Sequence, residues 1–416
     1  MPFALFGVFG ILLVVAVPVA VAMGAAAMIS IWQAGIPMEI AAQRLISGIS
    51  SFPLLAIPLF VFAGSLMNQG GITRRLIDFA FSVVGGVRGG LASVNVLTNM
   101  IFGGVSGSAV ADAGAIGRIM IPDMVKRGYS RGYSAAVTAT AATVALLLPP
   151  SIDLILYGVT AQVSIGLLFQ WGLFAGLLLV GILLVTAYVT ARRRGYPAER
   201  KSSWNDIWKS GVRALPALII PIVVIGGVRF GVFTPTEGAG VAVLAAIFVG
   251  IFMYRGLTWR TFKASVVETT FLSIAIMSIL AFAQVYSWAL VTSGISRDIQ
   301  AWAMSITDSR WLMLLIIVLV LMLIGTVLEG SAAILIFTPL FLPIMTGVGV
   351  DPLHFGIVVV AAMAFGLITP PVGITLLIST KIAGIPMHRS FKELLPWFIA
   401  CMIALTAFAF IPLFFY

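Results

Sequence analysis

Apolar runs long enough to cross a membrane recur along this chain with only short connections between them, and that recurrence constrains the fold more than any single motif. A bilayer core about 30 Å thick takes roughly 20 apolar residues per helical crossing. Runs near residues 3–28, 52–67, 134–160, 166–190, 214–233, 236–254, 264–290, 355–380 and 390–414 predict full crossings, and with them an all-α polytopic membrane protein. At 61% hydrophobic and 9% charged residues, the chain lies far from a soluble domain, in which about a quarter of residues are charged. Its 416 residues allow about ten crossings and leave no room for a sizeable soluble domain. The run from Phe3 to about Met28 has no basic stretch ahead of it and is long enough to span, so it reads as a retained helix and not as a signal peptide.

Two further apolar segments, 91–124 and 312–346, do not read as single crossings. The first is interrupted by Gly103-Gly104-Val105-Ser106-Gly107-Ser108-Ala109, the second by Gly325-Thr326-Val327-Leu328-Glu329-Gly330-Ser331-Ala332. Half-length helices on either side of such a break predict a re-entrant hairpin. Its irregular tip survives at membrane depth only where protein buries it or where it lines a wet cavity.

These hairpins belong to an internal repeat. Gly71-Ile72-Thr73-Arg74 and Gly107-Ser108-Ala109 recur as Gly294-Ile295-Ser296-Arg297 and Gly330-Ser331-Ala332, both 223 residues on. Ile121-Pro122 and Pro149-Pro150 recur as Leu342-Pro343 and Pro370-Pro371, both 221 residues on, so a two-residue deletion separates the two sets. Four landmarks in order indicate a duplication.

Charge then tests whether the repeats run in opposite senses. Arg74, Arg75, Arg88, Lys126, Arg127 and Arg131 surround the first hairpin, against Arg297 and Arg310 around the second. Basic residues favour the cytoplasm, so the first hairpin opens inward and the second outward. The same rule places Arg192, Arg193, Arg194, Arg200, Lys201 and Lys209 in one cytoplasmic loop, Arg255, Arg260 and Lys263 in another, and Lys381, Arg389 and Lys392 in a third. Nine crossings from a cytoplasmic N-terminus satisfy all of these and leave the C-terminus outside. Two inverted repeats, each a re-entrant hairpin followed by a Pro-Pro-broken helix, form an architecture of secondary transporters. The net charge of +10 therefore reports topology, not a nucleic-acid partner.

The chemistry is expected at the tips and the breaks. Ser108 opens the second half-helix of the first hairpin, and Asp112 lies one turn on along the same face. A helix N-terminus suits a carboxylate. The turn through Ser106 and Gly107 exposes carbonyl oxygens that suit a hard cation such as sodium instead, with Ser106, Ser108 or Asp112 adding oxygens. An aspartate at bilayer depth costs about 2.5–3.5 kcal/mol on insertion scales and needs a cation, a proton or hydrogen bonds. The alternative is that Asp112 and the serines only cap the half-helices. Thr326, Glu329, Gly330 and Ser331 repeat the pattern at the second tip, with Glu329 in the place of Ser106, or with Glu329 simply in external water.

A proline pair inside a crossing unwinds it and frees carbonyls. Pro149-Pro150-Ser151 with Asp153 provides one such break, and Thr369-Pro370-Pro371 with Gly373 and Thr375 the other. A single pair reads as a kink; the pair at matched positions in both repeats reads as half of a site. The expected first cation site is thus Ser106, Gly107, Ser108, Asp112, Pro149 and Ser151, and the second is Thr326, Glu329, Gly330, Ser331, Thr369, Pro370 and Gly373. Ser108, Asp112, Asp153 and Ser331 are the expected substrate contacts. Arg118, about 15 Å along the helix from Ser108, is expected to reach the membrane edge. Trp204, Trp208 and Trp259, beside basic loops, read as interfacial anchors facing membrane lipid.

Other classes find no support in the residues. The single Cys401 excludes an intrachain disulfide framework, and His354 and His388 are too far apart in sequence for a local metal motif. No lysine follows a glycine, so there is no ATP-binding loop and no other cofactor is expected. An intramembrane enzyme would need a base near Ser108 and Asp112, and no histidine or lysine is placed for it. A channel fits two inverted hairpin units less well than alternating access does.

The motifs Ser106-Gly-Ser-Ala-Val-Ala-Asp112 running on to Ile121-Pro122, Pro149-Pro-Ser151 with Tyr157-Gly158, Phe233-Thr-Pro-Thr-Glu237, and Asp351-Pro-Leu-His354-Phe355 running on to Thr369-Pro-Pro-Val-Gly373 together span nearly the whole chain. In them the chain resembles the large membrane subunit of tripartite ATP-independent periplasmic (TRAP) transporters. The resemblance implies an elevator mechanism, in which a transport domain built on the hairpins slides against a scaffold and carries sodium and a small organic anion bearing a carboxylate. It also implies a small four-helix membrane subunit and a periplasmic substrate-binding protein as partners, in a bacterial or archaeal inner membrane. The chain departs from the family at Ala145-Leu146-Leu147-Leu148, where a Gly-Pro is usual, at Asp153, often a proline, at Ala362, commonly an asparagine, and at Glu329, usually an aspartate.

The expected division is scaffold helices in 1–67, the first hairpin and broken helix in 68–165, scaffold helices with a basic loop in 166–290, the second hairpin and broken helix in 291–385, and a last scaffold helix in 386–416. The expected function is sodium-coupled import of a small organic anion fed by a binding protein. A stand-alone sodium- or proton-coupled anion carrier is the alternative.

Overall fold

The computed structural model describes residues 2–196 and 202–415. Arg200 and Lys201, assigned above to a cytoplasmic loop, lie outside them. The chain opens with α1 (Pro2–Val14) and α2 (Val19–Gln33), which pack side by side, then α3 (Met38–Ile49) and α4 (Ala56–Gln69). Next, α5 (Ile72–Val84) leads into a hairpin of α6 (Gly90–Ser106) and α7 (Ala109–Lys126), followed by the two halves of a broken helix, α8 (Arg131–Ala142) and α9 (Ile152–Ala161). Four helices follow: α10 (Ile165–Arg194), α11 (Trp204–Arg229), α12 (Pro235–Phe248), which continues as a π-helical turn to Met253, and α13 (Trp259–Thr292). The pattern then returns, with α14 (Ile295–Ile306), a hairpin of α15 (Arg310–Gly325) and α16 (Gly330–Gly347), and a second broken helix, α17 (Pro352–Gly366) and α18 (Ile374–Ala383), before the closing α19 (Phe391–Phe410).

The sequence repeat is thus a structural repeat, and its first landmark, Gly71-Ile-Thr-Arg and Gly294-Ile-Ser-Arg, opens a helix that the apolar runs did not predict. Each hairpin is preceded by an amphipathic helix, α5 or α14, whose N-terminal glycine, Gly71 at φ 73° or Gly294 at φ 79°, holds the left-handed conformation that disfavours side chains. Elsewhere the starts follow the capping chemistry written in the sequence. Ser108, Ser130, Ser151 and Ser164 each accept a backbone N–H three residues on, and Ser203, Thr234 and Thr258 complete reciprocal capping boxes. The Phe233-Thr-Pro-Thr-Glu237 motif is such a start, with Glu237 accepting the Thr234 N–H at 2.7 Å.

Among the described residues, seven helical segments are long and apolar enough to cross a membrane. The runs at 52–67, 166–190, 214–233, 236–254, 264–290 and 390–414 are continuous helices, whereas 134–160 and 355–380 are broken at the proline pairs. The run at 3–28 is not the single crossing expected. It folds into α1 and α2, because Ala16 turns left-handed at φ 61° and Pro18 supplies no N–H to continue the first helix.

Packing crosses between the repeats. The second half of the first broken helix, α9, lies on α16 of the second hairpin, and α18 lies on α7 and α8 of the first. The helices α10 and α19 lie against the hairpins and broken helices, while α2, α3, α4, α12 and α13 pack on one another. Small residues are the reason. Gly172 and Gly176 of α10 sit so close to Leu147 and Leu148 of the first break that a Cβ at either would come within 2.6 Å of them. An ion pair between Arg194 and Glu393 joins the ends of α10 and α19.

Candidate functional site

The first tip is a tight turn between two helix ends. Gly107, left-handed at φ 59°, closes α6 by donating to the Gly103 carbonyl at 3.0 Å, and Ser108 opens α7 by accepting from the Ala111 N–H at 3.4 Å. The turn rests directly on the first proline break, for a Cβ at Gly107 would lie 2.7 Å from the Pro150 carbonyl oxygen. In that break Ser151 donates to the Leu146 carbonyl at 2.6 Å and caps α9. The Pro149–Pro150 and Pro370–Pro371 bonds are both cis.

Beneath the tip, Ser106 donates its hydroxyl to one carboxylate oxygen of Asp112, which is fully buried. The other oxygen, Oδ2, has no partner. A buried carboxylate with one donor is under-satisfied, and a hard cation, a proton or a further donor would complete it.

The second tip faces its own break in the same way. The Gly373 N–H donates to the Thr326 carbonyl at 3.4 Å, and Gly325 approaches Gly366 so closely that a Cβ would sit 3.2 Å from its Cα. The hydroxyl protons of Thr326 and Thr369 are spent on the carbonyls of Leu323 and Phe365, at 2.7 Å each, so these oxygens can act further only as acceptors. The two breaks differ in cover. Residues 147–151 are all buried, whereas Pro371 and Val372 are exposed.

The tips meet across the repeats through Asp153. Ser331 Oγ lies 2.9 Å from Asp153 Oδ1 and 3.0 Å from Glu329 Oε1, so a single hydroxyl proton serves two carboxylates. Glu329 also caps α16 through the Ala332 N–H at 3.4 Å. It is half-buried against the first repeat and does not stand in an open loop. A cavity of about 40 Å³ opens here, lined by Ser108, Asp153, Glu329 and Ser331, with Gly107, Leu146, Leu367 and Ile276 among its walls and no lysine or arginine. It admits a water-sized or ion-sized group.

Of the expected substrate contacts, the fold gathers Ser108, Asp153 and Ser331 at this cavity, and leaves Asp112 below it with Ser106. Arg118 is exposed on α7, and Trp204, Trp208 and Trp259 are exposed at the starts of α11 and α13. Sequence reasoning missed Ile276, one isoleucine in an apolar run, for which no signal existed. It also missed Glu268, which accepts the Ser65 hydroxyl at 2.6 Å. A carboxylate inside a predicted crossing was a usable signal there. The Tyr157 and Asp351-to-Phe355 motifs hold the repeats together: Tyr157 donates its hydroxyl to the Pro352 carbonyl at 2.7 Å, and its ring meets Phe355 edge-on.

The chain is similar to known proteins at two levels, sequence and fold. Residues 6–414 match the family described as tripartite ATP-independent periplasmic transporter, DctM component. The isethionate TRAP transporter permease protein of Oleidesulfovibrio alaskensis is 38% identical over 421 residues, which cover 99% of this chain and 66% of that longer protein. The C4-dicarboxylate TRAP transporter large permease of Pseudomonas aeruginosa is 38% identical over 89% of this chain and 87% of its own length. The sialic acid large permease of Vibrio cholerae is 36% identical over 91% and 88%. Among solved structures, the Alcanivorax borkumensis YdaH transporter superposes with a TM-score of 0.65 at 14% identity, covering 91% of this chain and 89% of that one. Neisseria gonorrhoeae MtrF gives 0.61 at 15%, covering 88% and 82%. At those identities the likeness is one of fold alone. The family match and the near-full-length relatives together decide the membership, and this multi-pass membrane chain belongs to the DctM component family of tripartite ATP-independent periplasmic transporters.

Proposed function

We propose that this large permease imports a small organic acid across the inner membrane, coupled to sodium, with a periplasmic binding protein delivering the solute and a small four-helix membrane subunit completing the permease. The basic loops then lie in the cytoplasm. The observation that carries the reading is the under-satisfied charge at both tips: Asp112 with a free buried oxygen, and Asp153 and Glu329 sharing one hydroxyl. Such groups attract cations, and a cation held there ties ion binding to closure of the tip over its break.

The solute carboxylate would lie at the N-termini of α7 and α16, at Ser108 and Ser331, since a helix N-terminus favours an anion. Bound sodium offsets the nearby carboxylates, so solute and ion would bind together. Two sodium ions entering a cell held at about −100 mV inside draw roughly 4.6 kcal/mol from the potential, less about 2.3 for each negative charge carried with them. The hairpins and broken helices would travel as a body past α4, α12 and α13, in the elevator manner. Relatives named for isethionate, C4-dicarboxylates and sialic acid support an organic acid as the solute class.

The test is uptake of a panel of small carboxylates into proteoliposomes that hold this chain and its small membrane subunit, with and without a sodium gradient and the binding protein. Uptake that needs both additions is the expected result. Uptake that needs neither would refute this reading and make the protein a stand-alone or proton-coupled carrier.

A further inference from the structure

A charged cleft of about 280 Å³ lies between α5 and α11, away from both tips. Arg75 and Asp78 line it from α5, and Asp206, Lys209, Ser210 and Arg213 line it from α11. The two helices are fastened there. Ser82 and Ser210 share a hydrogen bond of 2.6 Å, and the Arg75 guanidinium sits 4.0 Å above the Tyr254 ring while donating to the Gly71 carbonyl at 2.8 Å. Arg75 is therefore held in place before any ligand arrives. Lys209 and Arg213 stand one turn apart on the same face of α11 and make no ion pair among the described residues. Of the two carboxylates, Asp206 is committed to its helix cap, accepting the Ser203 N–H at 3.0 Å and hydroxyl at 2.8 Å. The cleft thus gathers three cations and two carboxylates, Asp78 and the cap residue Asp206, with the Ser210 hydroxyl among them, and keeps an excess of positive charge.

The surroundings fix the depth of this cleft. Trp204 and Trp208, on the first two turns of α11, are 80% and 66% exposed, and exposed Val212, Leu215 and Ile219 continue the same helix as an apolar surface. Exposed tryptophans beside basic side chains, followed by an apolar face, mark the level of lipid headgroups. We propose that the cleft binds the phosphate of an anionic phospholipid headgroup, with Arg75, Lys209 and Arg213 around the phosphate and the acyl chains along the apolar face of α11. Arginine matches phosphate oxygens with paired donors, and a pre-placed guanidinium loses little freedom on binding. A soluble phosphate would use the same cations and none of the apolar face. Because α5 leads into the first hairpin, a bound headgroup would pin that helix to α11.

The test uses the full-length chain purified in mild detergent, with retained lipid counted by native mass spectrometry and thermal unfolding followed after adding phosphatidylglycerol, phosphatidylcholine or inorganic phosphate. Phosphatidylglycerol should be retained and should raise the unfolding temperature, and the other two should not. Lys209→Ala with Arg213→Ala should weaken phosphatidylglycerol binding about tenfold or more, and Asp78→Asn, which removes the opposing acid, should tighten it. Equal stabilisation of wild type and double variant overturns the site, and inorganic phosphate reproducing the whole shift overturns the lipid. If the double variant fails to fold, Asp78→Asn decides: unchanged retention refutes the proposal.

Discussion

Replacing Asp153 by asparagine probes the shared hydroxyl directly. Because Ser331 Oγ reaches both Asp153 and Glu329, the two carboxylate oxygens stand no more than about 6 Å apart. Two like charges at about 6 Å repel by about 2.8 kcal/mol at an effective dielectric constant of about 20. Asp153→Asn removes that repulsion, keeps the shape of the side chain and adds an amide donor. In sodium-free buffer the variant is therefore expected to be more stable than wild type, by about 3 kcal/mol. Added sodium should stabilise wild type, by about 2.7 kcal/mol at one hundred times its dissociation constant, and should stabilise the variant much less. Glu329→Gln should act in the same direction. The double variant should gain little over either single one, because the repulsion is removed only once. The assay is unfolding in sodium chloride against choline chloride at equal ionic strength. A variant that keeps the full sodium-dependent shift and gains nothing in choline would refute the assignment, since the pair would then be neutral without a metal cation.

The remaining expectations concern the first tip and the topology. Gly107→Ala should abolish uptake, because a Cβ there meets the Pro150 carbonyl in a left-handed conformation, whereas Gly294→Ala, with nothing within 4 Å, should cost only the roughly 1–2 kcal/mol of the backbone and keep activity; equal losses would sink the distinction. Asp112→Ala or Ser108→Ala should abolish sodium-coupled uptake without loss of folded protein, and wild-type uptake by both would remove the first cation site. Lys126→Cys and Asp351→Cys should label from opposite sides of the membrane, with the buried Cys401 silent in the native protein. Same-side labelling would contradict inversion of the repeats.

What was legible in the sequence was what the bilayer and the backbone dictate locally. Glycine- and serine-bearing interruptions of apolar segments marked the turns at Gly107 and just before Gly330, and proline pairs marked the unwound stretches, because each residue type acts on its own backbone. Pairing of each tip with its own break followed from repetition. Two things were not legible. The helices α5 and α14 are short and amphipathic, so neither an apolar-run criterion nor crossing length detects them, although their Gly-Ile-Thr/Ser-Arg starts were the first repeat landmark. The reach of Asp153 to Ser331 joins residues 178 apart across two repeats, and a local pattern holds no information about which hairpin a broken helix will touch.

That crossing of partners limits how access to the cavity can change. If each broken helix packed only on its own hairpin, one repeat could open while the other stayed closed. Here α9 rests on α16 and α18 on α7 and α8, so moving either hairpin alone would strip a buried helix face from its partner. Packed interiors resist that at several kcal/mol per exposed large side chain. The lower-cost motion carries both hairpins and both broken helices together, along surfaces where contact is small-residue and reversible. Gly64 of α4, whose Cβ would stand 3.2 Å from the Ser106 Cα, marks such a surface at the first tip, and Ile276 of α13 meets the cavity itself. Bulk on this seam, not within either repeat, should arrest transport: Gly64→Leu, which presses on Ser106 at the first tip, is expected to abolish uptake and keep the sodium-dependent stabilisation assigned above to Asp153 and Glu329 at the second. Loss of both together would mean that the tip deforms on its own and that the repeats do not move as one body.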